Sequence, residues 1–72
     1  MPQLFGPTLA EMIAELEREL LRRRRVYPVK VAAGRMRPWA AERQIETLAA
    51  VVVLLREGSV RETERARKLQ NA

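Results

Sequence analysis

An all-α fold, an antiparallel helical hairpin, is what this sequence predicts, and three observations carry that expectation. Apolar residues recur at 4-3-4 spacing through Leu9, Ile13, Leu16 and Leu20, which lines one face of a helix. They recur again through Ala41, Ile45, Leu48, Val52 and Leu55, a heptad-like seam. Between the two stretches, Pro28, Gly34 and Pro38 punctuate a short Pro/Gly hinge segment.

Residues 1–7 read as a flexible lead-in, because Pro2, Gly6 and Pro7 each break regular structure. The first helix is expected to open at Thr8. Thr8-Leu9-Ala10-Glu11 has the S/T-x-x-E form of a capping box, in which the hydroxyl and the carboxylate each satisfy a free backbone N–H. Its seam runs on to Arg23 and Tyr27. Glutamates fill the first half of this helix and Arg22 to Arg25 fill its end, the order that complements a helix dipole. Glu19 is placed to pair with Arg22 and Arg23 at i,i+3 and i,i+4, worth a few tenths of a kcal/mol each, about 0.2–0.5.

Pro28 either ends or kinks this helix, and it pushes Tyr27 toward an extended conformation. The favoured reading ends the helix there. Pro28 then opens a short turn through Val29–Ala33, Gly34 supplies its left-handed cap, and residues 35–37 form a linker. The second helix is expected to open with Pro38 at its first position. Val51-Val52-Val53 has strand propensity by itself, but the length and pattern of the flanking sequence favour helix. Gly58 is expected to close it. Ser59-Val60-Arg61-Glu62 repeats the capping-box form, so a weak C-terminal third helix follows, too polar to be stable alone. The predicted organisation is therefore a lead-in at 1–7, a hairpin domain at 8–57, and a polar C-terminal helix or tail at 58–72.

With 72 residues the core is small, and a core of this size rarely supplies more than ~3–5 kcal/mol. The chain has no cysteine, so no disulfide can reinforce it. Without cysteine, histidine or aspartate, zinc and iron sites lack their usual ligands. The remaining means of stabilisation is self-association, and a homo-oligomer is expected. The apolar face of the second helix is wider than one partner helix needs, which marks Leu48, Val51, Val52, Leu54 and Leu55 as the oligomer or partner interface.

The same inventory points away from catalysis and from cofactors. Glu, Lys, Tyr, one Ser and three Thr remain, and Ser59 has only Arg and Glu near it in sequence. The longest wholly apolar run, Leu48 to Leu55, is far short of the ~20 residues that cross a membrane. No secretory signal is visible near Met1. The expectation is a non-catalytic, soluble protein of the cytoplasm, without a membrane partner.

Charge gives the strongest functional cue. The formal net charge is +5. Residues 22–37 hold seven of the fourteen bases and no acid, leaving seven bases against nine acids in the rest of the chain. A patch this concentrated speaks of partners and steering.

The central stretch resembles a group of small phage and prophage proteins of uncharacterised function. The shared residues are Glu15-Leu16, Glu19-Leu20, the Arg22–Arg25 cluster, Val26-Tyr27-Pro28, Val31, Gly34-Arg35-Met36, then Ala41-Glu42-Arg43 and Ile45. The resemblance covers about residues 11–55. It implies a mobile-element origin, with a bacterial host cytoplasm as the setting, and it brings no activity or binding residues with it.

In a hairpin, residues 20–27 lie beside 39–46, and the hinge gathers Arg22, Arg24, Arg25, Tyr27, Lys30, Arg35, Arg37 and Trp39 as candidate ligand-binding residues. Arginine offers forked donors that suit phosphate oxygens, and an aromatic face suits a stacked base. The candidate ligand is a nucleotide or a short nucleic acid; sequestering a host defence signal nucleotide would be one use. Duplex reading by a helix-turn-helix is disfavoured, since the hinge is longer than the usual 3–4-residue turn. Simpler readings stand beside this one. Four consecutive helical positions point about 100° apart, so Arg22–Arg25 ring the helix, and Glu42 and Glu46 could neutralise some of them. Tyr27 and Trp39 each read first as caps on a small core. The alternative function is a module that docks on a host or phage protein through the apolar face of the second helix.

Overall fold

The computed structural model describes residues 6–71, so most of the expected lead-in, residues 1–5, and the last residue of the expected tail lie outside the described residues. Two helices form an antiparallel hairpin: α1 spans Leu9–Ala32 and α2 spans Pro38–Asn71. No strand occurs among the described residues.

α1 begins where its cap dictates. The Glu11 backbone N–H donates to the Thr8 hydroxyl at 3.1 Å, and the Thr8 N–H donates to the Glu11 carboxylate at 3.2 Å. Glu19 pairs with Arg22 at 3.3 Å and approaches Arg23 at 3.9 Å, as the i,i+3 and i,i+4 spacing predicts.

α1 does not end at Pro28. It runs through the proline to Ala32, one turn beyond the expected stop. Packing explains this. Tyr27 is buried against α2, and Val31, four residues on, continues the same face beside Ala41 and Ile45. Burial of that last turn outweighs a local break. The true stop is Gly34, at φ 73°, with the Arg35 N–H donating to the Lys30 carbonyl and the Gly34 N–H to the Val31 carbonyl. This pair of bonds is a Schellman motif and requires a left-handed residue at that position.

α2 begins at Pro38, as expected, with the Arg37 carbonyl accepting from the Ala40 and Ala41 N–H groups. It does not close at Gly58. That glycine lies inside α2 and has no positive φ, and the Ser59 carbonyl accepts from the Thr63 hydroxyl one turn on. The expected third helix is therefore the continuation of α2. Extending a formed helix adds a hydrogen bond per residue, whereas starting a new one carries a nucleation cost.

The two glycines should respond oppositely to alanine. Gly34→Ala forces a side chain into left-handed backbone and is expected to cost about 1–2 kcal/mol. Gly58→Ala meets nothing within 4 Å and removes a helix-interior glycine, so it should stabilise by about 1 kcal/mol. Urea denaturation of the two variants checks both signs.

The core is the seam between the helices: Leu20, Tyr27, Ala41, Leu48 and Val52, each between 6% and 8% exposed. An Arg56–Glu17 ion pair ties the helices further from the hinge. The hairpin measures 58 × 29 × 13 Å, and its thickness is that of a single helical layer.

Candidate hinge site

The arginines of α1 are sorted by register. Arg23 lies on the α2 side, where its guanidinium donates to the Gln44 carbonyl at 3.2 Å and stands 5.8 Å from the centre of the Tyr27 ring. The Tyr27 hydroxyl donates to the Gln44 side-chain oxygen at 3.1 Å. Gln44 thus receives both residues and fixes the register of the hairpin near the hinge. Gln44 stands at 3-4 spacing between Ala41 and Leu48, but only the pairing of the helices gives it these partners.

Tyr27 is core, one of its two expected readings. With Arg23 and Lys30 both over its ring, Lys30 at 5.9 Å, it is not free to receive a stacked base. Lys30 itself is exposed. Arg22 is exposed and paired with Glu19. Arg24 and Arg25 are exposed, diverge by about 100° around α1, and form no salt bridge among the described residues. Among the described residues, neither Glu42 nor Glu46 pairs with an arginine.

Trp39 corrects the sequence reading that favoured a core cap. It is 68% exposed. Ala41 faces α1, and Trp39, two residues earlier, points about 200° away from it.

Beyond α1, Arg35 and Arg37 line one depression with Val31, Gly34, Met36 and Pro38, about 460 Å³ in volume. Both are exposed and neither has a carboxylate partner among the described residues. The depression adjoins the start of α2, whose first turn carries no acid. A helix N-terminus is a partial positive charge, and here it is flanked by cations instead of the usual Asp or Glu.

No protein-family model, curated protein or solved structure matches this chain. No group of three or more His, Cys, Asp or Glu side chains that could hold a metal ion occurs among the described residues. No helix among them is long and apolar enough to cross a membrane.

A second concavity escaped the sequence reading. Tyr27, Pro28, Val31, Ala32, Ala41 and Ile45 line an open groove of about 550 Å³, with Glu42 and Glu46 at its edge. Ending α1 at Pro28 hides it, because Val31 and Ala32 then belong to a turn. The signal was the seam itself, since Val31 follows Tyr27 at the same spacing of four.

The five residues expected at an oligomer or partner interface divide. Leu48 and Val52 are buried against α1, Leu55 is half-buried, and Val51 and Leu54 are exposed.

Proposed function

We propose that this chain is a non-catalytic module that binds a phosphate-bearing ligand, a nucleotide or a short single strand, at its hinge end. The supporting observation is a pair of exposed arginines, Arg35 and Arg37, on one depression at the acid-free start of α2. Exposed Trp39 follows directly in the chain. Guanidinium groups bind phosphate oxygens through paired N–H donors, and a helix N-terminus favours the same charge. Trp39 supplies the face on which a base stacks. Arg25 adds charge at the same end of the hairpin. In the phage setting that the resemblance implies, such a site would hold a host signal nucleotide.

Trp39 is the only tryptophan, so its fluorescence reports on this site alone. Titration with oligo-dT and, separately, with nucleoside triphosphates and cyclic nucleotides should quench it. For a single strand, Arg35→Ala/Arg37→Ala is expected to reduce the slope of log affinity against log salt by about 1.4, two contacts at ~0.7 each. Arg65→Ala/Arg67→Ala, in the tail, should leave binding unchanged. Equal binding by the hinge double variant and the wild type for every ligand would sink the proposal. Val51 and Leu54, exposed on α2, favour the second reading, docking of a host or phage protein.

A further inference from the structure

A single layer of two helices leaves both of its broad faces open, whereas a stable domain closes its core with a second layer. The area reflects this. The chain exposes 6309 Å², against about 4600 Å² for a folded monomer of its mass. Part of the excess lies on residues 60–70, which are exposed throughout. The excess, about 1700 Å² per chain, thus combines surface outside the layer with the layer's open faces.

The two faces differ. One is crossed by the polar contacts of Arg23, Glu19 and Gln44. The other carries the open groove beside Pro28 and Ile45 and, further from the hinge, the Glu17–Arg56 ion pair. Leu21 lies two turns before Pro28, and Val53 lies two turns after Glu46, so both extend the groove face, and they are 67% and 53% exposed. Arg24 falls on this face as well, one turn before Pro28. Glu42 and Glu46 edge the same groove, and none of these three charges has a partner among the described residues.

We propose that the groove face receives a second copy of this chain, giving a four-helix dimer. A two-fold pair presents one patch twice, so it must be self-complementary. This patch is: it offers Leu21 and Val53 to an apolar groove, and Arg24 to Glu42 and Glu46. Closing the layer supplies the core that one hairpin lacks. The inference does not depend on the hinge ligand.

The chain has no cysteine, so single-cysteine variants report one position each. In a lone hairpin Val53 is the more exposed of two neighbours, 53% against 38% for Val51, so Val53→Cys should react with a maleimide faster than Val51→Cys. In the proposed dimer that order reverses. Sedimentation equilibrium of both variants and the wild type gives the mass alongside. A mass of two chains with Val51→Cys labelling faster is the expected result. A mass of one chain, any higher oligomer, or a dimer in which Val53→Cys still labels faster overturns the proposal. Hinge-ligand titrations of the same variants stay unaffected in either case, which keeps the two proposals separable.

Discussion

Leu48→Ala is expected to abolish the cooperative unfolding transition. Leu48 is 8% exposed and sits on α2 between Ala41 and Val52, the other two buried residues of that helix. Truncating a buried leucine to alanine costs about 2–5 kcal/mol. A core of this size supplies about 3–5 kcal/mol in all. The loss is therefore comparable with the whole stability of the hairpin. Far-UV circular dichroism should show reduced helicity and a broad melt. Leu69→Ala, which removes the same side chain from a position 73% exposed, should shift stability by no more than about 0.5 kcal/mol. A wild-type melt from Leu48→Ala would mean that the seam between the helices does not hold them together.

Pro28→Ala is expected to act in the opposite direction, raising stability by as much as about 3 kcal/mol. Pro28 lies inside α1, four residues from its end. It has no N–H for the Arg24 carbonyl, and its ring crowds that carbonyl. The helix continues past it because Tyr27 and Val31 are held on α2, not because the local sequence favours helix there. Alanine restores the missing bond and leaves the seam untouched. Urea denaturation should show a higher midpoint with an unchanged slope. A lower midpoint would assign Pro28 a packing role in the groove that exceeds its backbone cost.

The hairpin itself was legible because its signals are local and periodic. Thr8 and Glu11 cap α1 through atoms three residues apart, Gly34 alone can adopt the left-handed conformation of the turn, and Pro38 opens α2. Two of the differences concern helix breaks. Pro28 and Gly58 read as breaks when weighed alone, yet α1 and α2 run through both. At Pro28 the outcome was decided by burial against the other helix. At Gly58 it was decided by the ease of extending a helix already formed. The hinge set was legible as charge but not as geometry. The sequence collected Arg22, Arg24, Arg25, Tyr27, Lys30, Arg35, Arg37 and Trp39 into one cluster. The fold divides them: Tyr27 and Lys30 go to the core and its edge, Arg22 to Glu19, and Arg35 and Arg37 to a shared depression.

The sequence by itself determined the helical class, the cap that starts α1, the turn at Gly34 and the acid-free basic segment, because each depends on residue type over a few neighbouring positions. Only the tertiary structure decided that α1 runs through Pro28, that Trp39 faces outward, that Gln44 joins Arg23 to Tyr27, and that a groove opens beside Pro28. These depend on which face of each helix is buried against the other, a relation between residues 17 to 39 positions apart that no local pattern encodes.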